Sequence, residues 1–388
     1  MIRVLIADDS AFMRKVLSDV FNKEPDFEVV GTAADGKETV ERVKLLKPDL
    51  LTLDVNMPVM DGINALAIIM REQPTPTVMI SSLTQKGTDA TVKALGLGAV
   101  DFISKKGGSI SRVDDIEDEI LAKCRAAAKA NVRNIGTRPK SPVMRRVELP
   151  IKSGLQTERD AKPQEPTPGV FAKRQNPLLQ RKEKAAAAKP AAVTFNSAGK
   201  KKLVAIGTST GGPQALQKVI TRLPANLPCG VVVVQHMPAG FTKSLADRLN
   251  QISAIAVKEA ENDEVIEPGH VYIAPGNYHM RISLTGAERK IILGQDPPVG
   301  NHRPAVNVMY DSVAPIGRDL VAVIMTGMGC DGCEGMKKIK AGGGYSIAQN
   351  EDTSVVYGMP KAVVDAGLAD EIRPLEDIAK AIVEAVNK

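Results

Sequence analysis

Residues 203–212 read LVAIGTSTGG: an apolar run of strand length that stops at Gly207 and opens a turn rich in hydroxyls and glycine. A short apolar run bounded by turn signals reads as a buried strand. The pattern returns twice. VVVVQ (231–235) runs into His236, and LVAVIM (320–325) runs into TGMGCDG, which carries Asp331. Helical patterns at 212–222, 240–252, 304–316 and 332–341 separate these runs, and alternation of this kind predicts a parallel sheet with helices on both faces. The carboxyl ends of such strands line one crevice. A hydroxyl, an imidazole and a carboxylate at three such ends are therefore able to meet although they lie far apart in the chain. Between 256 and 293 several short strands are expected, with turns at Pro268-Gly269 and Pro275-Gly276. A strand at 345–348 and helices near 358–366 and 374–387 complete a doubly wound α/β unit over 200–388, with a mainly parallel sheet and an antiparallel edge.

The first part of the chain alternates in the same way. IRVLIA (2–7), EVVG (28–31), DLLTLD (49–54), TVMIS (77–81) and AVDFIS (99–104) read as strands. Helices are predicted over 10–23, from the Asp35-Gly36 turn to about Lys47-Pro48, and over 62–73, 86–97 and 113–128. Five strands and five helices in strict alternation predict a flavodoxin-like unit over 1–128, with parallel strands in the order 2-1-3-4-5.

Between these units, 129–199, the composition shifts to Pro, Lys, Arg, Gln and Ala. Residues 125–200 hold 17 Lys or Arg against 5 Asp or Glu, so the net charge of +6 belongs to the middle of the chain. Without aromatic interleaving this stretch reads as a solvated linker, and no nucleic-acid partner is expected. No run of about 18 apolar residues occurs, so no membrane insertion is expected. MIRVLIADDS places two acids where a secretory signal needs its apolar stretch. A cytoplasmic monomer is the expectation. Cys124, Cys229, Cys330 and Cys333 fit reduced thiols there. The Cys330-x-x-Cys333 pair lacks two further ligands for zinc and reads as small packing residues in a tight turn, with a metal or redox role as the less favoured reading.

Two chemistries are legible. Asp8 and Asp9 end strand one and Asp54 ends strand three, its neighbour in the predicted order. Three carboxylates crowded at one sheet end are costly without a cation, and Mg²⁺ is the natural one because it accepts carboxylates while keeping waters and phosphate oxygens. Ser81 and Lys105, ending strands four and five, would suit a phosphoryl group on Asp54. The bland alternative is five polar residues ending five strands. In the second unit, Ser209 sits in a G-x-S-x-G between strand and helix, which exposes a nucleophile but equally suits a phosphate cradle. His236 favours the hydrolase, because it alone of the four histidines directly ends a buried strand; His270, His279 and His302 read as loop or surface residues. Asp331 is suited to orient the imidazole, or to cap helix 332–341, or both.

IADDS, LDVNMP, MISS and the Lys after DFIS together resemble the receiver domain of two-component response regulators. The resemblance implies phosphorylation of Asp54, and Mg²⁺ held by Asp9, Asp54 and the Asn56 carbonyl with Asp8 assisting. It also implies that Ser81 and Lys105 sense the phosphoryl group and that Phe102 is the switch aromatic. Receivers usually carry Lys-Pro where this chain has Lys105-Lys106. GTSTGGP, VVVVQHMP, YIAPGNYH, NHRPAVNVM and MTGMGCDG resemble the catalytic domain of the chemotaxis receptor methylesterase (CheB) family. That resemblance implies hydrolysis of glutamate 5-methyl esters on methyl-accepting chemotaxis receptors, deamidation of receptor glutamines, and a chemotaxis histidine kinase as phosphodonor. It implies Ser209, His236 and Asp331 as the triad, the Met328 N–H with Thr210 as oxyanion donors, Pro213, Tyr278 and Arg303 around the cleft, and no cofactor in this half. The competing readings are a phosphorylation-gated binding protein and a hydrolase of another ester or amide.

Overall fold

In the computed structural model the described residues are 1–82, 84–105, 113–130, 195, 202–284 and 288–388. The stretch read as linker lies outside them except for Lys129, Ala130 and Phe195, as does Lys106.

The first sheet uses β1 (Ile2–Ala7), β2 (Phe27–Ala33), β3 (Leu50–Asp54), β4 (Thr77–Ser82) and β5 (Asp101–Lys105), ordered β2-β1-β3-β4-β5 and parallel throughout. Its helices are α1 (Ala11–Asn22), α2 (Gly36–Leu46), α3 (Gly62–Glu72), α4 (Gln85–Leu97) and α5 (Val113–Ala128). Local chemistry sets their starts. The Ser10 hydroxyl accepts the Met13 N–H and the Asp35 carboxylate accepts the Glu38 N–H, each satisfying a donor that the first turn leaves orphaned. Lys47 closes α2 in the left-handed region at φ 47°, just before Pro48. β1 and β3 are buried over most of their length, because helices cover both faces.

The second sheet has seven parallel strands. They are β6 (Leu203–Thr208), β7 (Val231–Gln235), β8 (Ala256–Glu259), β9 (His270–Ile273), β12 (Leu320–Ile324), β13 (Tyr345–Gln349) and β14 (Glu371–Arg373), ordered β14-β13-β12-β6-β7-β9-β8. The antiparallel element is a separate ribbon of β10 (His279–Ser283) and β11 (Lys290–Gly294). The helices are α6 (Gly212–Ile220), α7 (Phe241–Ile252), α8 (Val306–Val313), α9 (Cys333–Ala341), α10 (Met359–Asp365) and α11 (Leu375–Asn387). A 3₁₀ segment, Ala314–Asp319, follows α8 where the sequence pattern reads one helix to 316; it bends at Gly317, φ 65°. The edge strand β14 escapes sequence reading, being three residues long with only Ile372 apolar.

Both sheets belong to one compact unit, and a single apolar cluster runs through both. Phe102 at β5 stacks on Phe241 at the start of α7, with ring centroids 4.3 Å apart. Burial of two aromatic rings at such a contact stabilises it by about 1 kcal/mol beyond the area they remove from water.

Candidate active site

β6 lies between β7 and β12, so three strand ends meet at one rim. The last pair in the β6–β7 register is Thr208 with Gln235, which makes Ser209 and His236 the next positions on strands about 4.8 Å apart. The Ser209 N–H donates to the Thr326 carbonyl across the β12 side at 3.0 Å, and the Gln235 side-chain amide donates to the Ser209 carbonyl at 2.9 Å. Glycine is required just beyond. Gly211 has φ 77°, and a Cβ there would meet Val355 at 2.5 Å; on Gly212 it would meet Gln235 Oε1 at 1.9 Å.

His236 and Asp331 are joined although β7 and β12 are not neighbours: Nε2 lies 2.8 Å from Asp331 Oδ2. A carboxylate only accepts, so Nε2 carries the proton and Nδ1 holds the lone pair. That Nδ1 is buried and makes no hydrogen bond, so the Ser209 hydroxyl is near in register but not bonded to it here. Serine–base hydrogen bonds are often formed only with substrate in place. Asp331 is itself held by the N–H groups of Val306 at 2.6 Å and Asn307 at 2.9 Å. Burial works to raise its carboxyl, but the His236 imidazole and these two N–H groups outweigh burial and hold it below the usual range. The alternative reading of Asp331 as a cap of α9 is not realised: Gly332 occupies the N-cap, and the Asn307 side chain accepts from the Gly332 and Gly335 N–H groups.

His302, read from sequence as a loop or surface residue, is instead packed on the base. Its ring stacks on His236 at 3.8 Å between centroids and 14° between planes. Burial first, then His236, pushes its imidazole down to about 4, so it is neutral near pH 7. The segment 302–307 thus supplies both the ring on His236 and the donors on Asp331. The sequence signal was weak, because the strands of this ribbon region are short and nothing local says where the loop after them folds back.

The rim departs from expectation at Thr210. Its hydroxyl donates to Asp101 Oδ2 of the first sheet at 2.6 Å and is buried, so the donor it retains for an oxyanion is its backbone N–H. Met328 is exposed beside the rim. Pro213 is buried in the first turn of α6, and Tyr278 is partly exposed. Arg303 ties its own loop together, donating to the carbonyls of Gln295 and Asp296 and to Asn277 Oδ1.

Asp101 also escaped sequence reading. It lies in β5 between Val100, whose carbonyl accepts the Gly211 N–H at 3.2 Å, and Phe102. The Ala99 carbonyl accepts from Gln214 at 2.8 Å. Residues 99–102 therefore grip the turn that presents Ser209. On α4, Asp89 accepts from Ser244 of α7 at 2.6 Å, and the Thr88 and Ser244 hydroxyls lie 3.1 Å apart.

The second candidate site is the acidic end of the first sheet. Carboxylate oxygens of Asp8, Asp9 and Asp54 lie within 4.8 Å of one another. Lys105 Nζ is 2.8 Å from Asp54 Oδ2 and 3.0 Å from Asp8 Oδ2. Burial pushes the Asp54 carboxyl up, more than Lys105 pulls it down. Burial also opposes charge on Lys105, but Asp54 and Asp8 outweigh it and raise its pKa. The pair is charged, because an ammonium with two carboxylates within 3.0 Å has no reason to release its proton. One ammonium, 3.0 Å from the buried Asp8 Oδ2, does not balance three crowded carboxylates, so the residues fit a hard cation such as Mg²⁺. The Asn56 backbone also helps hold the Asp54 carboxyl down. The Ser81 hydroxyl donates to the Gly87 carbonyl of α4 at 3.1 Å. Phe102 is buried, with Lys123 Nζ 5.1 Å from its ring centroid.

Two family models match the chain, CheB methylesterase over residues 204–382 and the response regulator receiver domain over 4–114. A protein-glutamate methylesterase/protein-glutamine glutaminase of Symbiobacterium thermophilum is 45% identical over 100% of this chain and 98% of its own length. One of the same name from Pyrococcus abyssi is 44% identical over 99% of this chain and 94% of its own. The crystal structure of the Thermotoga maritima CheB methylesterase catalytic domain is 44% identical, covering 50% of this chain and 99% of that one, with a TM-score of 0.47.

Proposed function

The chain belongs to the CheB methylesterase family, and on that premise we propose that it is a phosphorylation-regulated serine hydrolase. Its substrates are glutamate 5-methyl esters on methyl-accepting chemotaxis receptors, and it also deamidates receptor glutamines. The reading rests above all on one observation: the His236–Asp331 hydrogen bond formed across two non-adjacent strands, beside Ser209 at the same rim.

Ser209 Oγ attacks the ester carbonyl and His236 Nδ1 takes its proton. Nε2 stays with Asp331, whose charge stabilises the imidazolium. Methanol leaves with the proton from Nδ1, and water then hydrolyses the acyl-enzyme by the same base. The stacked His302 stays neutral and adds no opposing charge as His236 becomes positive. The N–H groups of Met328 and Thr210 receive the oxyanion, where loss of one donor costs about 10²–10³ in rate. This half uses no cofactor.

Asp54 accepts the phosphoryl group from a chemotaxis histidine kinase. Asp8, Asp9, Asp54 and the Asn56 carbonyl would hold Mg²⁺, which neutralises the crowded carboxylates and the incoming phosphate oxygens. Lys105 and Ser81 turn to the phosphoryl group, with Phe102 as the switch aromatic. Ser81 then gives up the Gly87 carbonyl, which lies in the first turn of α4 one residue before the contact with Ser244. Loosening α4 and residues 99–102 releases the Ser209 turn. The domains that follow from this reading are a receiver over 1–128, a linker over 129–199 and a catalytic domain over 200–388. The enzyme is assigned to the cytoplasm as a monomer; among the described residues no helix is long and apolar enough to cross a membrane.

Methanol release from methylated receptor, measured with and without a small-molecule phosphodonor and Mg²⁺, tests both halves. Stimulated release is expected, and full release by Ser209→Ala would end the serine mechanism.

A further inference from the structure

Two thiols bracket Asp331. Cys330 is exposed, and Cys333 is partly exposed at the first position of α9. The Cys333 N–H donates to the Cys330 carbonyl at 3.1 Å, and Gly332 between them has φ 95° and ψ −16°. These are the marks of a type II turn, which holds its first and fourth Cα atoms within about 7 Å. A disulfide spans Cα separations of about 4.4–6.8 Å. The backbone thus already brings the pair to bridging range, and Gly332 is needed there because only glycine takes that φ at no cost.

The side chains are not yet aligned. Cys333 Sγ lies 3.4 Å from the Ala362 carbonyl, and burial pushes its thiol up. Bridging requires that sulfur to swing toward Cys330. The turn has room to follow: Gly329, on its other flank, has φ 80° and open space where a Cβ would sit. Cys124 and Cys229 are buried, and burial pushes both thiols up, that of Cys229 to about 12. They do not compete for an oxidant.

We propose that Cys330 and Cys333 form a site of reversible thiol–disulfide exchange, and that closing the bridge draws Asp331 away from His236. The second clause rests on the hydrolase reading; the first does not. The oxidant is a small disulfide. The Cys330 thiolate attacks one of its sulfurs, forming a mixed disulfide and expelling one thiolate. The Cys333 thiolate then attacks the Cys330 sulfur, closing the intrachain bond and expelling the second thiolate. Two electrons end on the small disulfide, now two thiols, and the protons of the two cysteines are transferred through solvent to the departing thiolates.

Asp331 responds because it is the second residue of the bridged turn. Its carboxylate meets His236 Nε2 and the N–H groups of Val306 and Asn307 at 2.6–2.9 Å, contacts that tolerate little rotation. Asn307 also accepts from the Gly332 N–H at 3.1 Å, so tightening the turn pulls on both ends of that arrangement.

The full chain is incubated with excess oxidised glutathione, alkylated and weighed. One intrachain bridge mapped to Cys330–Cys333 is expected, with methanol release reduced about tenfold or more and recovered on reduction. Cys330→Ser and Cys333→Ser are each expected to retain the reduced chain's turnover and to ignore the oxidant. Absence of the bridge, a bridge between chains instead, or a bridge with unchanged turnover overturns the proposal. So does a Cys330→Ser turnover already as low as that of the oxidised chain, which would assign the loss to packing. A reduced chain that releases no methanol at all strikes the hydrolase reading alone, because mass and thiol count decide the bridge without substrate.

Discussion

The acidic pocket and the serine rim both sit at the carboxyl ends of parallel strands, yet they treat a buried carboxylate in opposite ways. At the pocket, the buried Asp54 and Asp8 carboxylates share one side-chain ammonium, Lys105, at 2.8 and 3.0 Å. At the rim, Asp331 is held by an imidazole and two backbone N–H groups. A flexible lysine head can follow a new phosphate; main-chain donors cannot. The pocket's ammonium is therefore able to change partners without moving the backbone, whereas the rim's donors shift only if the backbone does. Between the two lie the hydrogen bonds from Ser81 to Gly87 of α4, from Ser244 to Asp89 of α4, and from Thr210 to Asp101.

That contrast breaks most visibly at the rim. Asp331→Asn is expected to keep the fold and lower methanol release by about 10⁴-fold, because an amide cannot hold the same tautomer on His236; a loss under tenfold would show that the fixed carboxylate is dispensable. Next in size, His302→Ala is expected to lower kcat about tenfold, with His302→Phe restoring most of it by keeping a ring on His236. Equal loss in both would assign the effect to the imidazole rather than to the stack. At the pocket, Asp54→Asn is expected to leave basal release within about twofold and to remove the response to phosphodonor. Persistence of that response would place the phosphoryl group elsewhere. Ser244→Ala, at the contact, removes hydrogen bonds worth about 1 kcal/mol or more each and is expected to raise basal release severalfold while shrinking the further gain from phosphodonor.

The smallest effect is on stability. His302 has its pKa depressed to about 4 in the folded chain against about 6.5 unfolded. The unfolded state then binds the extra proton first as pH falls. Its contribution is fully present above about pH 6.5 and is lost as pH drops toward 4. The melting temperature of the parent is therefore expected to fall more steeply over that window than that of His302→Phe. Parallel curves would remove the half-buried neutral imidazole from the account.

Much of this was legible in residue order. The apolar runs at 203–206, 231–234 and 320–324, each uninterrupted and capped by a turn, could only be strands buried on both faces. Asp8, Asp9 and Asp54 had to cluster once the strand order was 2-1-3-4-5. Thr210 and Asp101 were not legible as a pair. A threonine in a small-residue turn and an aspartate in a short strand each have ordinary local roles, and only docking of one sheet's helices on the other's brings them to 2.6 Å. His302 was hidden for the same reason: its loop follows a two-stranded ribbon whose path across the rim has no local signature.

Strand and helix alternation, the residue types at the strand ends and the family resemblance were determined by the sequence alone, because period and turn chemistry act over a few neighbouring residues. Tertiary structure alone decided that Nδ1 of His236 is the nitrogen left free, that His302 covers its ring, and that Asp101 holds the Thr210 hydroxyl. Those outcomes depend on which surfaces exclude water against which others, a balance summed over the whole molecule that no short stretch of residues encodes.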